Sequence, residues 1–532
     1  MRKLFEKYPV GLVTGFALIC LLPLLALRDF SPANELRYLS IADEALSGGH
    51  FFAFYNDGVP YADKPPLYFW FLMLCRKLLG FHSMPVISLF SFLCAAATVK
   101  VMDGWLLKGA GAVTRAAAAM LLLTSALFLG MSVYVRMDML MCLFIVLALY
   151  SYRRERPWLF AVFTFLALFA KGPVGLLVPV LTVLCDKLLF NKGKGLGKWF
   201  GWRFWLILGS CCALWFGLAY LEGGKEYLQD LLFHQTVDRA VNAFHHKSPP
   251  WFYLLTIWGV AAPWCLLTVP SVIAGLRADG EECFLALVST VTFVMLSMFS
   301  SKIALYLMPM LPFLCYGFVL CEKRLGWKGW MKAGLGVASA VFIAIGLVFI
   351  AGYFAFDRLP VPWEYGFLRS WVLVVCGVLA VFAGVISLVR MGRGWMPGVM
   401  VMGGVMLFVL LCLSPMIPQI NERTCYGPLC REIIRAETAG GRTDRVYTIG
   451  LYRPENIDVY IGRRGVAVSK NDLSEGGLEA AGIPAGATVV VSKFADMASS
   501  NLYSSLLGSS GRRLAASTPL YDIWCSDPLA TP

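Results

Sequence analysis

Two short runs of this chain set acids, cations and aromatics side by side in a place where charge is costly. Asn34-Glu35-Leu36-Arg37-Tyr38 and Tyr61-Ala62-Asp63-Lys64-Pro65-Pro66 both fall in the hydrophilic stretch 28–83, which follows a long apolar segment. A charged group beside a bilayer loses solvation and needs a partner, so an acid-rich loop over an apolar body is read first as a functional site. Carboxylates beside lysine and arginine are equipped to move a proton, to orient a nucleophile or to form ion pairs. Further along, Arg136 and Asp138 stand at the start of an apolar segment, His245 and His246 precede another, and Lys302 with Tyr306 opens a third.

The body that must position these residues is read from composition. Of 532 residues, 58% are hydrophobic and 15% charged, and the mean hydropathy is +0.69. Soluble domains run at roughly 45–50% apolar and roughly 25% charged. The chain is therefore read as a mostly α-helical, polytopic transmembrane bundle. Counting segments of about 20 apolar residues gives about 13 candidate spans. They begin near Val10, Met84, Ala116, Met137, Trp158, Gly172, Phe204, Phe252, Phe284, Ile303, Gly334, Trp371 and Pro397. Lys171-Gly172-Pro173 splits the pair between Trp158 and Leu189, and Pro66–Gly80 is read as an interfacial helix.

Charge sets the expected orientation, because loops rich in Lys and Arg stay on the cytoplasmic side. With the N-terminus inside, alternate loops carry Lys108 and Arg115, then Arg153, Arg154 and Arg156, then Lys187 to Lys198, then Lys323 to Lys328, then Arg390 and Arg393. The complementary, outer loops hold Glu35, Asp63, Lys64, Arg136, Asp138, His245, His246 and Lys302. An odd span count leaves the tail outside. The net charge of +13 is thus a topology signal and not a nucleic-acid footprint, which would gather on one accessible face. The segment Pro9–Leu27 is too long for a cleaved signal and is expected to be the first span.

After Leu413, Ser414-Pro415-Met416-Ile417-Pro418 breaks the last span and the composition turns mixed polar. Residues 1–413 are assigned to the membrane domain and 414–532 to a separate soluble α/β domain. Arg431–Thr438 has helical spacing, a helix is expected near Asn501–Leu507, and Arg445–Gly450, Ile457–Ile461, Ala487–Ser492 and Leu520–Trp524 are β-rich. Most of the 16 cysteines lie in apolar runs. Cys425, Cys430 and Cys525 lie in the tail, where an oxidising compartment would allow one disulfide. The run Lys192 to Lys198 lacks the order of a phosphate-binding loop.

The loop residues resemble a known family. Glu35-x-Arg37-Tyr38 with Ile41 and Glu44, and Asp63-Lys64-Pro65-Pro66-Leu67-Tyr68-Phe69-Trp70, resemble the first periplasmic loop of the lipid A aminoarabinose transferases and their protein O-mannosyltransferase relatives, membrane glycosyltransferases of GT-C type. The likeness continues through Arg136-x-Asp138, Lys171-Gly172-Pro173-x-Gly175, His246-Lys247-x-Pro249, Ser301-Lys302 with Tyr306 and Pro309, and Leu451-Tyr452-Arg453-Pro454. It covers nearly the whole chain.

The resemblance implies a bacterial inner-membrane enzyme that moves a sugar from a polyprenyl (undecaprenyl) phosphate donor, with inversion, to an outer-side acceptor. Lipid A, an envelope glycan or a protein hydroxyl would qualify as the acceptor. No cofactor is required. Glu35, Asp63 and Asp138 are the implied carboxylates, with Asn34 beside them. Lys64, Arg37, Arg136 and Lys302, with Tyr38, would hold the leaving phosphate, whose charge grows as the glycosidic bond breaks. Tyr61, His245, His246 and Tyr306 would line the substrate site, and Asp63 with His246 could share a divalent metal. One position departs from the family: Asn34 stands where an acid is usual, and asparagine is no base at neutral pH. An acceptor that is already an anion would need none.

Plainer readings remain for each residue. Glu35 and Arg37 would form a solvated helix face, Lys64-Pro65-Pro66 a rigid helix start, Asp138 a cap, the histidine pair a surface feature, and Lys302 a snorkelling lysine. A lipid-sugar flippase or transporter, with ionisable groups mid-span, and a noncatalytic envelope assembly protein are the rival functions.

Overall fold

The computed structural model describes residues 2–232, 248–358, 366, 368–440, 444–469, 473, 477–478, 481–484, 486–493, 503 and 505–526. His245 and His246 lie outside them. Every one of the thirteen expected span starts falls on a helix or on a helix boundary. Among the described residues, however, nine helices are long and apolar enough to cross a membrane on their own, or ten if one bent pair is a single span. The difference lies in Asp138–Arg153, Pro157–Lys171 and the pair Phe252–Val260 with Cys265–Gly275, which are shorter helices.

Two breaks in this bundle matter for the loop residues. The first separates Ala112–Leu123 from Ala126–Val133, which meet at 74°. At the corner Thr124 and Ser125 turn their hydroxyls onto the carbonyls of Met120 and Leu121, and the Trp264 indole N–H donates to Thr124 Oγ1 at 3.0 Å. Hydroxyls that bond back to the preceding turn loosen a helix. The second helix of the pair then delivers Tyr134 to Asp138 beside residue 35.

The second break is Lys171-Gly172-Pro173. Gly172 has φ +103°, a left-handed backbone conformation that side chains rarely adopt, and ends the helix Pro157–Lys171 while starting Pro173–Asn191. A Cβ at Gly175 would sit 2.1 Å from the Ala167 carbonyl oxygen. The two glycines and the proline therefore fold the helices closely against each other and leave Lys171 at the turn.

The loop 28–83 is itself structured. Helix Glu35–Gly48 is followed by a two-stranded antiparallel ribbon, β1 (Tyr55–Asn56) and β2 (Val59–Pro60), and by helix Pro66–Leu79. The latter starts on Pro66, whose fixed φ suits a first turn, and falls on the Pro66–Gly80 stretch expected to be helical.

The tail carries a five-stranded mixed sheet in the order β4-β3-β5-β7-β6: Gly465–Ala467, Val446–Ile449, Thr488–Ser492, Tyr521–Ser526 and Arg512–Ser517. The first three strands are parallel, β7 runs antiparallel to β5, and β6 pairs antiparallel with β7 and so points the same way as the first three. Helix Gly427–Gly440 covers it. Residues 503 and 505–509 are helical as expected.

Two expectations for the tail need correction. Ile457–Ile461 is helical, because Pro454 starts a turn that runs into Asp458–Ile461 and ends at Gly462 with φ +69°. All sixteen cysteines are free thiols, so Cys425, Cys430 and Cys525 form no disulfide. The sheet domain docks on the loop. Leu429, Cys430 and Ile433 join the same apolar core as Leu36, Leu39 and Ile41 of the loop. Ser40 Oγ donates to Asp458 at 2.8 Å, Tyr460 bonds to Asp29, and Arg464 pairs with Asp57 and, at 3.3 Å, with Glu44.

Candidate active site

The loop residues separate into an anchor and a charged cluster. Glu35 is fully buried, not part of a solvated face. Arg28 grips its carboxylate in a fork, Nη1 to Oε2 at 2.6 Å and Nη2 to Oε1 at 2.7 Å. The backbone N–H of Ser31 donates to Oε2 and that of Val135 to Oε1, each at 2.7 Å. Four donors saturate the carboxylate, so Glu35 is reassigned from candidate base to a fastener that ties the loop to the segment carrying Arg136 and Asp138. Arg28 also faces the Tyr134 ring at 5.1 Å and donates to the Val133 carbonyl. Asn34 occupies the N-cap of helix Glu35–Gly48 without a capping side-chain bond.

Asp138 is buried just as deeply, but its partners are cations. Arg136 Nε donates to Oδ2 at 3.1 Å and Lys171 Nζ pairs with Oδ1. Among the described residues the Arg136 Nη groups make no hydrogen bond. Lys171 lies 5.1 Å from the Tyr306 ring centroid, so Tyr306 lines the cluster. In the sequence Lys171 divides two spans and belongs to the family likeness, but nothing there places it in the site. The glycine and proline packing that makes it a divider is also what brings its ammonium to Asp138.

Beside this pair lie Asp63 and Lys64, bridged at 3.1 Å and each about one-seventh exposed. The Tyr61 hydroxyl donates to Asp63 Oδ2 at 3.0 Å. The Arg37 guanidinium stacks on the Tyr61 ring at 4.3 Å, and its buried Nε has no hydrogen-bond partner. Tyr38 packs edge-on against Phe69. Burial pushes its phenol up to about 12, with Arg136, Asp138, Asp63 and Arg37 all acting on it. It stays a neutral donor at physiological pH amid two acids and two cations. Burial also pushes the Tyr61 phenol up, helped by the charge of Asp63.

Among the described residues the inventory is four cations, Arg37, Lys64, Arg136 and Lys171, against two carboxylates, Asp63 and Asp138. That surplus of two positive charges suits a phosphate ester. Lys302 does not add to it. It is buried, and its ammonium is spent on the carbonyls of Ser248, at 3.2 Å, and Phe299, so its expected place among the phosphate-holding cations is corrected to closing that turn. Among the described residues no group of three or more His, Cys, Asp or Glu is placed to hold a metal.

Buried charges gathered at one end of a long-helix bundle, beneath a helical loop and a docked sheet domain, mark a multi-pass membrane protein. No family model matches the chain. The particular likeness is to the undecaprenyl phosphate-α-4-amino-4-deoxy-L-arabinose arabinosyl transferases. That of Shewanella sediminis is 28% identical over 392 residues, 69% of each chain. That of Pectobacterium carotovorum is 28% identical over 428 residues, 76% of this chain and 74% of the relative, and that of Pseudomonas fluorescens is 26% identical with 56% of its own length spanned. The crystal structure of ArnT from Cupriavidus metallidurans bound to undecaprenyl phosphate superposes with a TM-score of 0.75, covering 98% of this chain and 99% of that one at 17% identity.

Proposed function

We propose that this protein is an inner-membrane glycosyltransferase that moves a sugar from an undecaprenyl-phosphate donor to an outer-side acceptor, with inversion at the anomeric carbon. The observation that carries this reading is the buried cluster in which Asp138 sits between Arg136 and Lys171, next to Lys64 and Arg37. As the glycosidic bond breaks, charge develops on the leaving phosphate, and preorganised cations in a water-poor site stabilise that charge without reorganising. Arg136, with its Nη groups uncommitted among the described residues, and Lys64 are assigned to the phosphate. Tyr38 and Tyr61 supply neutral hydroxyls, and Asp138 holds Lys171 and Arg136 at the right distance.

The acceptor follows from what the acids do. Glu35 is saturated, Asp138 is held by two cations, Asp63 is engaged by Lys64 and Tyr61, and residue 34 is an amide. An acceptor that brings its own negative charge, such as a lipid A phosphate, needs no base, and this set favours it over a neutral hydroxyl. The aminopentose named for the relatives is the donor sugar of choice. The N-terminus is assigned to the cytoplasm and the tail to the periplasm, on the Lys and Arg asymmetry of the loops. The reaction uses no nucleotide and no cofactor in this reading. A divalent cation at Asp63 and His246 would have to compete with the Lys64 ion pair, so no step is assigned to it.

The test is chemical. Deleting the gene should remove one sugar mass from lipid A, and complementation should restore it. An unchanged lipid A with a changed envelope glycan or protein would keep the enzyme class and overturn the acceptor. No change in any envelope component would overturn the function.

A further inference from the structure

A second charged feature lies at the other end of the bundle and takes no part in the chemistry above. In helix Met84–Leu106, Leu93, Lys100 and Asp103 fall at helical spacing, i, i+7 and i+10, so they share one stripe. That stripe faces the N-terminal residues Lys7 and Tyr8 and the start of helix Ala112–Leu123 at Arg115, and between them lies an open groove of 440 Å³. Its floor is apolar and its rim is cationic. Asp103 is buried and committed to Arg115, with Nε to Oδ1 at 2.9 Å, which makes that pair neutral. Lys7 and Lys100 are exposed and, among the described residues, pair with no carboxylate. The rim therefore carries two net positive charges from Lys7, Lys100 and Arg115 against Asp103.

An ionisable residue late in an apolar helix is expensive and marks a function by default. Snorkelling explains a lysine that merely reaches water, but not two of them turned onto one groove floored by Val10, Ala96 and Ala97, with Leu93 at its exposed apolar edge. We infer that this groove binds an anionic phospholipid, with Lys7 and Lys100 on the phosphate and an acyl chain along Leu93. Basic pockets between membrane helices take anionic headgroups. The occupant is structural, clamping the first helix and its N-terminal segment onto the second.

The experiment uses the delipidated full chain in native mass spectrometry, titrated with phosphatidylglycerol or phosphatidylcholine. Phosphatidylglycerol should bind preferentially, and Lys7→Gln or Lys100→Gln should each lower that preference about fivefold. Lys192→Gln and Lys194→Gln, exposed charges in a loop away from the groove, should leave it unchanged. Lys7 lies on an exposed segment, so its variant reports on binding with little risk to folding. Equal loss from the groove and control variants would overturn the site in favour of a diffuse basic surface. No preference over phosphatidylcholine, or full competition by millimolar inorganic phosphate, would overturn the lipid.

Discussion

Glu35 and Asp138 are two fully buried carboxylates a short distance apart, and they are neutralised in different ways. Glu35 is held by an arginine fork and two backbone N–H groups, and Asp138 by two side-chain cations, one of which keeps donors to spare. A carboxylate bonded to backbone fixes geometry, because its partners cannot leave without unfolding the loop. A carboxylate bonded to flexible cations is a resident counterion, and an incoming phosphate can share those cations. The first is built for position and the second for exchange.

Removing the fastener should have the largest effect. Glu35→Ala leaves the Arg28 guanidinium buried without its partner and two backbone donors unmet, and breaking a buried pair costs about 3–5 kcal/mol. Thermal unfolding in detergent should show that loss, with no folded fraction of normal stability. A variant of native stability would erase the distinction drawn above.

Asp138→Asn should act on turnover. The amide can still accept from one cation, so the melting temperature should move little. The cations lose their common counterion and their placement, and transfer should fall about 10²–10³-fold, the cost of losing one preorganised group at a developing charge. Equal losses of stability and rate would make Asp138 a second fastener.

Asp458, where the tail meets the loop, offers a smaller and opposite effect. Burial raises its carboxyl to about 6 from the usual 3.8, against the hydrogen bond from Ser40, with Asp43 raising it and Arg464 lowering it further. A raised folded value means that its contribution to stability is complete below about pH 4 and is lost as pH rises through 6. The gap corresponds to at most roughly 3 kcal/mol. Asp458→Asn should therefore stabilise the docked tail at pH 7 and flatten the dependence between pH 4 and 6, as read by limited proteolysis of the tail. Unchanged pH dependence would remove Asp458 from the interface energetics.

Asn34→Asp should do least. If the acceptor is an anion, restoring the acid gains no rate, and a small loss from repulsion is expected. A gain of tenfold or more would restore the case for a hydroxyl acceptor and a carboxylate base.

The sequence reading located these regions because membrane spans and charged loops are strong local signals. The starts of the helical segments, the helix at Pro66 and the charged loop that carries Asp63 and Lys64 were all legible. What each acid is bonded to was not, since Glu35 meets Val135 across a hundred residues and Lys171 meets Asp138 across a helix pair. The tail misled for the same reason. Ile457–Ile461 has strand composition, and the Pro454 turn that runs into it is held where Ser40 of the loop helix meets Asp458, so it coils instead.

The central claim is that the charged cluster transfers a polyprenyl-linked sugar. Purified protein in liposomes, supplied with labelled undecaprenyl-phosphate aminoarabinose and lipid A, should pass the label to lipid A and release undecaprenyl phosphate. Lys64→Ala should abolish transfer, while Lys77→Ala, on an exposed turn of the neighbouring helix, should not. Transfer that persists unchanged in the Lys64 variant, or a folded wild-type protein that moves no sugar to any acceptor, would contradict the account.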